Sequence, residues 1–412
     1  MKIFFIVNHY EDSLKSLYSE NVALQNKTFT EQMSELKSHT LMPGFLWAKA
    51  LMEQGYEVVY YYSNAYYCQK KWAEENNITF NQNNWEADIS VAQIGYEKPD
   101  ILFSIDWSEQ YGPHFIERCK NAGAKFVVGW CGEAHPPVTF FKNHNVVFSC
   151  DPQNVKNFNE QGLKAFHINH AFSPSIFEMA MNENNSSSKS IDVGLIGSFL
   201  VGKSFHSHRA KIISEILREI PVEIYGRIYM PDKPYIGSIP KKILYHGALK
   251  PSFNVLEKLK AKAHQIPGYI THKNFQENLQ FYNDFKLINE HAHPPLYGIE
   301  MFKVLKDFKI TLNVHSENTP YAGNMRMFES TGMGTCLLND FKENVSDLFI
   351  PDEEIVVYKN AAEAKEKIKY LLSNETARQK ISAAGKARTL KDHNHTKRVQ
   401  QMMEIIEKEF SH

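Results

Sequence analysis

The sequence has no Cys-x-x-Cys spacing, no apolar run approaching the roughly 18 residues of a bilayer span, and no surplus of charge of either sign. Each absence removes a class of protein. Five cysteines, Cys68, Cys119, Cys131, Cys150 and Cys336, are scattered along the chain, which argues against a disulfide framework or a zinc site and fits a reducing compartment. Lys and Arg number 46 against 47 Asp and Glu, a formal net charge of -1, so the electrostatic case for a nucleic-acid partner is missing. The opening MKIFFIV is apolar but short, and it runs into Asn8, His9, Glu11 and Asp12 without small cleavage-type residues; it reads as a first strand, not a signal peptide. The expectation is a cytoplasmic protein. The lysines of residues 241–264 leave open a peripheral contact with the inner face of a membrane, though such a run ordinarily marks a solvated face. No short-period repeat is present.

What is present is enough apolar material for two ordinary cores: 412 residues, 43% hydrophobic and 23% charged. IFFIV, EVVYYY, DILFSID, KFVVGW and NVVFSC read as buried parallel strands separated by helical material, among it FLWAKALMEQGY, ended by Gly55. The serine-rich NENNSSSKS is a linker by composition. A second series follows, IDVGLIG, VEIYG, KILYH, ITLNVH, TCLLND and EIVVYK, and the chain finishes in helices. The fold class is therefore α/β, with two Rossmann-like doubly wound domains. The expected division is residues 1–180, a linker over 181–190, a second domain over 191–385, and a final helix over 386–412 packing back toward the first domain.

Two segments carry chemistry. Gly197-Ser-Phe-Leu-Val-Gly202-Lys203-Ser204 matches the P-loop pattern in its proper strand-to-helix context, where free N–H groups, the helix dipole and a lysine welcome a phosphate. An NTPase also needs a magnesium-holding carboxylate on a nearby strand, and Asp340 at the end of CLLND is the one candidate. Within residues 294–340 a glycine-bearing loop leads to Asn324-Met-Arg326-Met-Phe-Glu329. A loop feeding a helix N-terminus can cradle a diphosphate, an arginine can pair with it, and a glutamate one turn on can accept both hydroxyls of a ribose.

Tyr297-Gly298-Ile-Glu300-Met, Asn313-Val-His315, Asn324-x-Arg326-x-Phe328-Glu329 with Gly332 and Gly334, and Leu337-Leu-Asn-Asp340 together resemble the CgeB-like branch of the group 1 glycosyltransferases. Residues 191–402 share that resemblance; the first half shares it only loosely, through PDILFSIDW, VVGWCGEAHPP and HINHAFSPSIF. It implies the GT-B fold, two domains facing a cleft, with a nucleotide-sugar donor on the second and a glycan, lipid-linked or small-molecule acceptor on the first. By the same resemblance Glu329 takes the ribose, Arg326 and Gly197-Ser198 the diphosphate, and His315 the sugar or phosphate end. Lys203, Arg209, Arg227, Tyr297 and Asn324 complete the donor set. The family's second glutamate, about two turns before the ribose one, is missing: TPYAGN stands there, and Glu317 lies further upstream.

For an inverting reaction Glu133, at a strand end in WCGEAH, is the candidate base and Asp106 the rival, with His315 the third catalytic candidate. The structural alternative is that these carboxylates cap helices or pair with arginines. His170 can face the cleft or pack the hinge. The pairs His206/His208 and His291/His293 fall short of the three or four ligands a zinc site needs, so no metal and no cofactor are expected. The tyrosines of VVYYYSNAYYCQKKW can stack on an acceptor sugar or fill a buried strand. A nucleotide-sugar epimerase, a P-loop phosphotransferase and a non-catalytic glycan binder remain alternatives.

Overall fold

Short runs of β-branched and aromatic residues that are apolar at every position can be buried on both faces, and parallel sheets demand that. In the computed structural model, which describes residues 1–38, 43–105, 109–132, 137–182, 189–199, 207–231 and 272–411, such runs form two six-stranded sheets. The first contains β1 (Lys2–Val7), β2 (Glu57–Tyr62), β3 (Ile101–Ser104), β4 (Phe126–Cys131), β5 (Val146–Ser149) and β6 (Ala165–His167), in the order β2-β1-β3-β4-β5-β6. All neighbours pair in parallel. The second contains β7 (Ile191–Ile196), β8 (Glu223–Tyr225), β9 (Ala292–His293), β10 (Phe308–Asn313), β11 (Cys336–Asp340) and β12 (Val356–Tyr358), in the order β12-β11-β10-β7-β8-β9. Counted within its own domain, that is the 3-2-1-4-5-6 order of a dinucleotide-binding sheet, and the winding reverses between β7 and β10. Two doubly wound domains result, as expected. The strands β6 and β9 fall outside the sequence expectation, and KILYH lies outside the described residues.

Helix Pro43–Glu53 ends as its glycine predicts: Gly55 takes φ of 88°, and Tyr56 N–H donates back to Leu51 O at 3.1 Å. The chain then crosses between the domains twice. Helix Pro174–Asn182 contributes Ile176 and Ala180 to the apolar core around Phe302, Leu305 and Phe308 of the second domain. Helix His395–Phe410 returns to bury Val399, Met402, Met403 and Ile406 in the core of the first, each worth about 1.5–3 kcal/mol relative to exposure. The crossings lie side by side, with Phe172 N–H donating to His393 O (2.8 Å) and His395 N–H to Phe172 O (3.3 Å). The expected boundaries at 180 and 385 thus fall inside helices Pro174–Asn182 and Glu375–Asp392, because helix packing, not composition, decides which core an element joins.

Candidate functional site

The crevice between β7 and β10 opens where Gly197-Ser198 and Val314-His315 leave their strands. Carbonyls beyond a strand end have lost their ladder partners, and Arg209 of helix Ser207–Leu217 supplies replacements. Its Nε and Nη2 donate to Val314 O (3.1 and 2.7 Å), and its Nη1 donates to Ser198 O (3.2 Å), tying together the two walls of the crevice. Gly226 completes the floor: a Cβ there would stand 2.2 Å from Gly197 O.

On the β10–β11 side the side chains of Asn313, His315, Asn324, Asn339 and Asp340 all have partners. Asn324 caps helix Met325–Gly332 by accepting from Met327 N–H, and it exchanges amide hydrogen bonds with Asn313, which donates on to Asn339. Asp340 Oδ1 accepts from both the N–H (3.0 Å) and the Nδ1–H (2.7 Å) of His315, while His315 Nε2 accepts from Gly323 N–H (3.2 Å). Burial alone would raise the Asp340 carboxyl; the donors of His315, with Lys342 nearby, hold it below the ordinary aspartate value. The His315 side chain is wholly buried with both ring nitrogens engaged. It pins the loop 315–323 and lines neither of the two cavities at the crevice.

The other side is unsatisfied. Arg326 Nη1 lies 2.7 Å from Glu329 Oε2, one helical turn away, yet off the line of a hydrogen bond. Arg326 Nε and Glu329 Oε2 have no hydrogen-bond partner, and the remaining guanidinium contacts are weak ones, 3.6 Å to Met301 Sδ. Glu329 is buried to all but 5%, and Arg326 is half-buried beside it. They line a cavity of about 260 Å³ together with Gly197, Ser198, Gly226 and Tyr297. An adjoining cavity of about 300 Å³ is lined by Gly197, Arg209, Asn313, Asn324 and Arg326. Helix Gly298–Asp307, whose Tyr297 N-cap makes no side-chain capping bond, begins at the first cavity and helix Met325–Gly332 at both, so free N–H groups and positive dipole ends face the same space.

The first domain supplies the opposite walls: His9, Tyr10 and Ser13 to one cavity, Cys150 and His170 to the other. The contributions of His9, Tyr10, Ser13 and Cys150 were not read from sequence. The usable signal for the first three was their place just beyond β1, the strand where the first sheet reverses its winding. His170 does face the cleft, and burial, with Arg398 nearby, pushes its imidazole down to about 3, so it is neutral. Among the contacts that span the domains, Thr319 Oγ1 donates to Asp151 Oδ1 (3.0 Å), the Tyr10 and Tyr297 rings lie 5.1 Å apart, and Arg227 pairs with Asp12. Arg227 lines neither cavity and makes that bridge. Gly197, Ser198, Tyr297, Arg326 and Glu329 are brought together, Arg209 and Asn324 stand beside them as scaffold, and Asp106, Glu133 and Lys203 lie outside the described residues.

Among the described residues no group of three His, Cys, Asp or Glu side chains is placed to hold a metal ion, and no helix is long and apolar enough to cross a membrane. All five cysteines are buried. Tyr60 and Tyr62 are buried in β2 and line neither cavity, which favours the strand-filling reading over an acceptor platform.

Residues 253–404 match the family model described as Glycosyl transferase-like. No curated protein matches the chain in sequence. Among solved structures it is similar in fold to the Anabaena protein HepE in complex with UDP (10% identity, TM-score 0.54, covering 99% of this chain and 100% of that one). It is also similar to a sucrose-phosphate synthase from Thermosynechococcus elongatus (10%, 0.53, covering 100% and 99%) and to a glycosyltransferase from Rickettsia africae (12%, 0.51, covering 99% and 98%). Two doubly wound domains that face each other across a cleft give this chain the GT-B fold, and its second domain carries a segment similar to the glycosyl transferase-like family.

Proposed function

We propose that the enzyme transfers a sugar from a uridine-diphosphate sugar to a glycan, lipid-linked or small-molecule acceptor held against the first domain, without a metal ion. The observation that carries this reading is the Arg326–Glu329 pair, whose buried Nε and Oε2 atoms lack hydrogen-bond partners in the cleft. Buried polar groups are left unpaired at a cost of about 1–3 kcal/mol each, and a ribose diphosphate satisfies them: vicinal hydroxyls donate to Glu329, and phosphate oxygens accept from Arg326. The first N–H groups of helix Met325–Gly332 and the Gly197-Ser198 turn add donors for the departing diphosphate, which replaces the charge a metal would bring. The UDP complex of HepE supports uridine as the base to try first. The motif set supports the CgeB-like branch as the proposed subfamily. Glu133, which follows β4 in sequence, is the proposed proton acceptor, with Asp106 after β3 as the rival.

A P-loop NTPase is disfavoured by a specific observation. Asp340, the carboxylate that would hold magnesium, is bound to His315, and β10 separates its strand from β7. The test is a thermal-shift titration with UDP in chelator. At 100 times the dissociation constant it should stabilise the fold by about 2.7 kcal/mol, and Glu329→Ala should abolish the shift. Stabilisation by Mg-ATP with silence from UDP would overturn the reading. Consumption of donor without any acceptor would convert it to epimerisation.

A further inference from the structure

Beside Glu329 lies a third, much smaller cavity of about 10 Å³, walled by Trp47, His170, Phe302, Glu329 and His395. Three polar atoms of its lining residues have no hydrogen-bond partner: Trp47 Nε1, Glu329 Oε2 and His395 Nδ1. Their residues are exposed by only 1%, 5% and 4%, so bulk solvent does not serve them. They come from three different places: helix Pro43–Glu53 of the first domain, the donor-site helix Met325–Gly332 of the second, and the first residue of helix His395–Phe410 at the crossing.

We infer that Trp47 and His395 are positioning residues that hold the Glu329 carboxylate for the ribose through one bridging water. A water needs about 10–15 Å³ of probe-sized space and two to four polar partners, typically three, and the cavity and its three atoms meet both requirements. The hydrogen count closes as well. The indole N–H donates to the water, and the water's two hydrogens go to Glu329 Oε2 and His395 Nδ1. His395 must then be the neutral Nε2–H tautomer; burial, which drives its imidazole down to about 3, keeps it uncharged. The donor carboxylate is thereby fastened to the hinge between the domains. Arg326 completes the restraint from the other side, where its charge contact with Glu329 lacks hydrogen-bond alignment.

This inference rests on Glu329 binding ribose, and the experiment separates the two claims. Calorimetric affinities for UDP and for 2′,3′-dideoxy-UDP are compared in the wild type, Trp47→Phe, His395→Gln and His395→Leu. Phenylalanine keeps a ring against Trp130, which lies 4.7 Å from Trp47 centroid to centroid, and deletes the N–H. Trp47→Phe should lose about five- to tenfold in affinity for UDP and nothing for the dideoxy nucleotide, as expected for one buried hydrogen bond. His395→Leu should behave like Trp47→Phe, and His395→Gln, which keeps an acceptor, should recover most of the affinity. If the wild type fails to distinguish the two nucleotides, or binds neither, the ribose reading falls and this inference with it. If the wild type distinguishes them and Trp47→Phe does so equally well, or weakens both alike, the inference alone is overturned.

Discussion

Two carboxylates stand at the two ends of one crevice, each buried beside a basic side chain, and they are opposites. Asp340 accepts two hydrogen bonds from His315, whose remaining nitrogen accepts another, so that corner is complete as it stands. Glu329 meets Arg326 at the same 2.7 Å, but Oε2 and Nε are left over. Residue type and burial do not separate a structural pair from a ligand site; hydrogen-bond saturation does. A completed network rigidifies the loop between strands, and an incomplete one is held open for a substrate.

Six substitutions press on that contrast, from the largest effect to the smallest. His315→Leu leaves Asp340 buried without its partner and should cost about 3–5 kcal/mol in urea unfolding, while the folded fraction still binds UDP. Because the Asp340 carboxyl titrates below its ordinary value of about 3.9, the charge contributes fully above that value and is lost as pH falls through the lower, folded-state value. The stability gap between the wild type and Asp340→Asn should therefore be flat from neutral to mildly acidic pH and should narrow only in strong acid. Glu329→Ala should show the reverse pattern: at least about 100-fold weaker UDP binding, or about 2.7 kcal/mol, with an unchanged or slightly higher melting temperature. If instead it unfolds the protein and His315→Leu does not, the contrast is wrong. Arg209→Lys replaces a fork holding two carbonyls with a single ammonium, at about 1–2 kcal/mol of stability, whereas Arg326→Lys should weaken UDP about tenfold and leave stability alone. Asp12→Asn removes an exposed bridge and should change UDP release by less than about threefold, an effect that salt erases.

Much of this molecule was legible in its sequence, and the failures have physical causes. Ten of the twelve strands among the described residues were visible because continuous apolar runs bounded by turns leave few other options; here that holds for β7, β10 and β11 above all. The strands β6 and β9 are three and two residues long, too short for any periodicity. The donor-side pair Arg326 and Glu329 was legible because loop, cap and glutamate lie within one turn of helix. The partnership of His315 with Asp340, 25 residues later, was not, since it depends on β10 lying beside β11. The same limit hid His9 and Tyr10, which acquire a function only when a second domain faces them, and the three atoms around the small cavity, which come from segments some 350 residues apart.

The helix His395–Phe410 has a consequence for how the protein is made. The first domain's core includes Val399, Met402, Met403 and Ile406 packed beside residues of helix Pro43–Glu53, so its hydrophobic surface stays uncovered throughout the translation of the second domain. The two halves therefore do not mature in order along the ribosome: the domain begun first is finished last. Shearing the linker between the domains would not release the first one whole, because its closing piece travels with the second.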